Sequence, residues 1–183
     1  MKISNTLIHT VIATTLAVTL VTGAAFAESR NPAELNDLEI AHVAYTADNI
    51  DIRYAHLALA ISTNPKIHEF ANAMIRDHRS VNDSALALLN KLNAAPEDNF
   101  LSQQLIEQSI QIINEMKQLE GAEFDKRYAN NELNYHKAVN DLVENTFIPN
   151  IEHNEVKALF KTGLGIFKGH QAHAENMVRT LNR

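Results

Sequence analysis

Five ionisable residues fall on apolar helical stripes of this chain: Asp51, His78, Glu132, His136 and His170. Taking a carboxylate or a protonated imidazole out of water without a partner costs on the order of several kcal/mol, so intrusions of this kind call for a shared partner. Imidazole and carboxylate together make the donor set of a transition metal ion, and such an ion is the simplest partner for all five. The chain has no cysteine, which removes thiolate ligands, disulfides, a cysteine nucleophile and an acylated lipoprotein Cys. What remains suits zinc, copper(II), iron or manganese.

The spacing around each residue places it inward. Asp51 follows Ala44 and Ala47 and precedes Tyr54 and Ala58 at three- and four-residue steps. His78 lies in the same way between Met74 and Val81, and His170 runs in line with Gly163, Phe167, Ala174 and Met177. Glu132 and His136 are four apart and stack one turn above the other. Asp48 sits one turn before Asp51 and widens the site, Asp77 points about 100° away from His78 as an outer partner at most, and His173 marks the edge of its face. His42, His56, His68 and His153 read as solvated, and Met74 and Met177 as core filler. A thioether beside His78 would nonetheless suit copper.

These residues need long elements to position them. The periodicity predicts helices over about Leu38 to Ile61, Pro65 to Leu92, Leu101 to Leu119, Ala122 to Phe147 and Glu155 to Leu181. Asn64 is a natural cap and Pro65 a natural first residue, and so short a turn makes the first two helices an antiparallel hairpin. Gly121 breaks the third helix, whose stripe is Leu105, Ile106, Ile110, Ile113 and Met116, and Pro149 ends the fourth. The expected fold is all-α: a four-helix bundle with the third helix as an additional crossover. In that arrangement all five polar residues lie about 11 to 15 residues from one end, a slab of about 6 Å at roughly 1.5 Å per residue. Gly163, Gly165 and Gly169 cost about 1 kcal/mol each against Ala inside a helix, which implies either a bend before His170 or a closely packed neighbour.

The chain ends bound the rest. Lys2, an apolar run from about Leu7 to Val21 and Ala25-Phe26-Ala27 make a secretory signal over residues 1–27, too short for a comfortable membrane span. Residues 28–183 are then a single bundle domain, periplasmic or secreted, without stable membrane insertion after cleavage. The formal charge of −6 argues against nucleic acid or an anionic membrane as a partner, since both call for clustered Lys and Arg. Five Gly, four Pro and no Trp fit helices better than a β-sandwich.

The run Phe70-Ala71-Asn72-Ala73-Met74-Ile75-Arg76-Asp77-His78, the run Phe124-Asp125 to Tyr128 with Glu132 and Tyr135-His136, and His170 in the last helix together resemble domain of unknown function 4142. This is a family of exported bacterial proteins often labelled putative outer-membrane or membrane proteins. The resemblance spans about Asn36 to Leu181 and implies a ferritin-like four-helix bundle. Ferritin-like bundles with paired metals use Glu-x-x-His on two helices. Here the spacing is Glu-x-x-x-His on one helix, which favours a single ion.

Three functions follow. The first is an exported protein that binds a transition metal ion (zinc, copper or iron) for storage, buffering or stress protection, through Asp51, His78, Glu132, His136 and His170. The second is a metal-free structural or interaction protein whose buried polar network fixes helix register, with Ile110 or Ile113 as a partner surface. The third is a metal-dependent oxidase or hydrolase, the least favoured because no nucleophile motif or phosphate loop accompanies the cluster.

Overall fold

Asparagines begin three of the helices. Asn36 accepts from the backbone of Leu38 and Glu39 while the Glu39 side chain accepts from the Asn36 N–H, closing a capping box on α1 (Asp37–Ile61). Asn64 caps α2 (Pro65–Lys91), whose first residue is the proline that needs no N–H partner there. Asn99 caps α3 (Phe100–Met116) and pairs with Ser102. The chain then turns through Gly121, at φ +53°, a left-handed conformation that glycine adopts without steric cost. It continues as α4 (Gly121–Leu142), a short α5 (Ile148–Asn150) and α6 (Asn154–Leu181). The computed structural model describes residues 30–182, and among them every long element is helical. The segment read as a secretory signal, residues 1–27, lies outside the described residues.

Helices α1 and α2 form one antiparallel hairpin and α4 and α6 the other, with α2 against α6 and α1 against α4. Helix α3 crosses between the hairpins and packs mainly on α1. This is the bundle with a crossover helix that the periodicity predicts. Three local features differ from it. Helix α4 does not stop before Pro149. It widens into a π-turn at Val143–Phe147 and makes one further turn, Ile148–Asn150, before the chain leaves the helix. Pro149 has no N–H to give Asn145 and its ring crowds that carbonyl, so a wider turn just upstream relieves the ladder. On α3 the buried face carries Ser102, Ser109 and Met116, and Ile110 is 49 % exposed. Small serines let α3 approach α1 closely, and Arg53 on α1 donates to Ser109 Oγ at 3.4 Å. Helix α6 runs unbroken past its glycines, and a side chain at Gly165 or Gly169 would meet no atom within 4 Å. A closely packed neighbour therefore does not account for those two.

The core comes in two halves. One, toward the α1–α2 turn, holds Tyr54, Phe70, Met74, Phe124, Tyr128 and Met177. The other, toward the α1 N-terminus, holds Ile40, Val43, Val143, Phe147, Val156 and Leu164. Between them every bundle helix contributes polar side chains to one buried layer: Asp48 and Asp51, His78 and Asn82, Glu132, His136 and Asn140, and His170. Burial of a Phe or Met side chain contributes roughly 1.5–3 kcal/mol, so the two apolar halves hold the bundle and the middle layer is free to serve another end.

Candidate metal centre

All five residues singled out by their spacing meet in that layer. Asp51 and Glu132 are 0 % exposed and His78, His136 and His170 are buried. One ligand-capable atom from each of His78, His136 and His170 lies within 4.8 Å of the other two, and Asp51, Glu132 and His136 form a second group that meets the same limit. The groups share His136. The imidazole centroids are 5.3 Å apart for His78 and His170, 5.4 Å for His136 and His170, and 5.8 Å for His78 and His136.

Each imidazole is held through one nitrogen and leaves the other free. His78 Nδ1 donates to Asp48 Oδ1 at 2.7 Å, and Phe167 stacks on its ring at 4.7 Å. His136 Nδ1 donates to the Glu132 carbonyl, one turn back on α4, at 2.9 Å. His170 Nε2 donates to Asp77 Oδ2 at 3.0 Å, across from α6 to α2. The opposite nitrogens, His78 Nε2, His136 Nε2 and His170 Nδ1, are buried without a hydrogen-bond partner. So are both carboxylate oxygens of Asp51 and both of Glu132. Asp51 Oδ2 lies 3.5 Å from His78 Nε2 and 3.6 Å from His136 Nε2, beyond an ordinary hydrogen bond but between the two rings. Buried polar atoms are normally satisfied, and these orphaned nitrogens and carboxylate oxygens, converging in one layer, could hold a metal ion. Fixing one imidazole nitrogen on a carboxylate or a carbonyl so that the other can ligate is the arrangement that orients metal-binding histidines.

The electrostatics agree. Burial keeps protons off His136 and His170, the latter down to about 4, so both rings are neutral at neutral pH with a lone pair free. Burial opposes charge on His78 as well, but the Asp51 and Asp48 carboxylates outweigh it and raise its pKa. Burial, and then the neighbouring Asp51 carboxylate, pushes Glu132 well above the usual carboxylate range. A divalent cation in this layer would displace those protons and neutralise both acids together.

Two outer partners were only partly legible from spacing. Asp77 follows Arg76, which forms two hydrogen bonds to its carboxylate and holds its pKa low, and it reaches His170 because α2 turns one side to α1 and the next to α6. The 100° between consecutive residues that seemed to remove Asp77 from the site directs it at another helix. Tyr128 is buried, its hydroxyl has no partner, and its proton is held by burial and by the Glu132 carboxylate. Outside the layer, His56 and His153 are exposed, and His173 is exposed with its ring edge-on to Phe70 at 5.0 Å. His42 and His68 are half-buried rather than solvated: His42 stands 3.6 Å from Asp98, and His68 Nε2 donates to the Ser62 carbonyl at 2.6 Å, closing the α1–α2 turn.

No curated protein and no solved structure matches the chain. A family model described as domain of unknown function (DUF4142) matches residues 22–177.

Proposed function

The chain belongs to the DUF4142 family, and from the free histidine nitrogens that converge in its core we propose that it is an exported protein that holds one transition metal ion. His78 Nε2, His136 Nε2 and His170 Nδ1 supply the nitrogen ligands, and Asp51 and Glu132 complete the set or neutralise the ion from beside it. The observation that carries this reading is the combination of three tethered imidazoles with four orphaned carboxylate oxygens in a layer closed to water. A purely structural network would satisfy those atoms among themselves. Three nitrogens and carboxylate oxygen suit zinc, copper(II) or iron(II). With the ligands enclosed in the core, storage, buffering or stress protection fits better than turnover, which needs an open coordination position and a path for substrate.

Export rests on residues 1–27, cleaved after Ala27, and on the resemblance to exported ferritin-like bundles. No helix among the described residues is long and apolar enough to cross a membrane. Calorimetric titration of chelator-treated protein with zinc, copper(II), iron(II) and manganese tests the site: one of them binds at one ion per chain, and His78→Ala abolishes it. Absence of saturable binding for all four, with the protein folded, rejects the proposal. N-terminal sequencing of protein from the periplasm tests export, with Glu28 as the expected first residue.

A further inference from the structure

The buried histidine layer comes near solvent at one edge. Asp51 and Glu132 are wholly buried, and His170 is the least buried of the three imidazoles. Each ring leads outward to the group that tethers it, and the three tethers end in different places. The Glu132 carbonyl that holds His136 lies within α4, one turn back. The Asp48 carboxylate that holds His78 is 6 % exposed and borders a cavity of about 180 Å³, whose walls are mostly apolar, with Val43, Val81, Val139 and Leu164 among them. Asp77, which holds His170, is 25 % exposed and stands at the surface where α2 meets α6.

These ends are not equivalent for a hydrated cation. Passage through the apolar cavity would strip its water with nothing to replace it, the cost that keeps unpaired charge out of protein interiors. A carboxylate at the surface draws the cation in and replaces part of its water while the rest remains. The bond from His170 Nε2 to Asp77 Oδ2, 3.0 Å long, is the one hydrogen bond of that ring among the described residues, and Nδ1 of the same ring is buried without a partner. Rotation of a single side chain, with loss of a single hydrogen bond, therefore opens the layer at this edge. On the metal-binding reading given above, we propose that the ion enters between α2 and α6: the Asp77 carboxylate takes it from solvent, and the His170 ring swings off Asp77 to let it pass and closes behind it as a ligand. Arg76, 72 % exposed and bonded to both oxygens of Asp77, sets a positive charge over this entrance and slows the uptake.

Stopped-flow mixing of chelator-treated protein with copper(II), the divalent first-row ion that nitrogen and oxygen donors bind most tightly, tests the route. Quenching of tyrosine fluorescence reports arrival, since the chain has no Trp and the Tyr135 and His136 rings are 6.3 Å apart. The phase missing from His78→Ala is entry into the centre. In that phase Asp77→Asn slows association about tenfold, and Arg76→Gln speeds it several-fold at low salt, a gain that high salt removes. Asp48→Asn loses an equivalent tether away from the entrance, so it weakens binding through faster release instead. Arg76→Gln, at an exposed position, keeps the test decisive should Asp77→Asn fail to fold. Association that neither Asp77→Asn nor Arg76→Gln changes, or that Asp48→Asn slows and Asp77→Asn does not, overturns the entry route and leaves the metal centre standing. Absence of any copper phase that depends on His78 removes the centre itself, and the entrance with it.

Discussion

At the scale of single residues, the account depends on which nitrogen of each histidine is tied down. Asp48 and Asp77 touch no shared centre themselves, yet each fixes an imidazole so that its other nitrogen faces inward. Asp48→Asn and Asp77→Asn are therefore expected to weaken metal binding by about 10–100-fold while the ion remains bound at saturation, the usual effect of losing an orienting partner. Titration of each variant checks this, and affinities equal to wild type would remove the orienting role. A second expectation concerns protons. His170 in the unfolded chain takes up its proton near pH 6.5, whereas burial in the folded chain delays uptake to about pH 4. Across that window the folded protein binds fewer protons than the unfolded one, so this group's contribution to stability is lost as pH falls from about 6.5 to about 4. Thermal midpoints of metal-free protein should fall more steeply over this range in wild type than in His170→Gln; parallel slopes would contradict it. The five inward residues were legible from spacing alone because each interrupts an apolar stripe. Asn82, Asn140 and the Asp77–His170 contact were not, because they depend on which neighbour each face of a helix meets.

At the scale of elements, the helix ends were legible because their signals are local. Asn64-Pro65 and Gly121 act within one turn of themselves, and all five long helices begin and end close to where the periodicity places them. Where local signals have tertiary consequences the sequence was less informative. Pro149 marks strain correctly, but the strain is absorbed upstream as a π-turn that lengthens the fourth helix. On α3, Leu105, Ile113 and Met116 pack on the core as their spacing predicts, but Ile106 and Ile110 are exposed, and the buried Ser109 takes a hydrogen bond from Arg53 of α1. The glycines of α6 have the simplest test. Gly165 is exposed within an unbroken helix, and a Cβ there meets nothing within 4 Å. Gly165→Ala is expected to stabilise the protein by about 1 kcal/mol, read from denaturant unfolding, with metal binding unchanged. A loss of stability would show that α6 uses a flexibility at this point which the helix geometry does not display.

At the scale of the whole molecule, two apolar half-cores clamp a polar layer to which each of the four bundle helices contributes. Two 0 % exposed carboxylates and three buried imidazoles at one level are a destabilising arrangement unless something binds there. Binding to the folded state alone would return that free energy, about 4 kcal/mol at a thousandfold excess of ion over its dissociation constant. The most direct measurement is the metal content, by elemental analysis, of protein purified without affinity tag or chelator, beside a His78→Ala/His136→Ala double variant. Close to one zinc, copper or iron ion per chain in the wild type and none in the variant is the predicted result. No metal in either, with both folded, would contradict the account and leave the layer as a structural network.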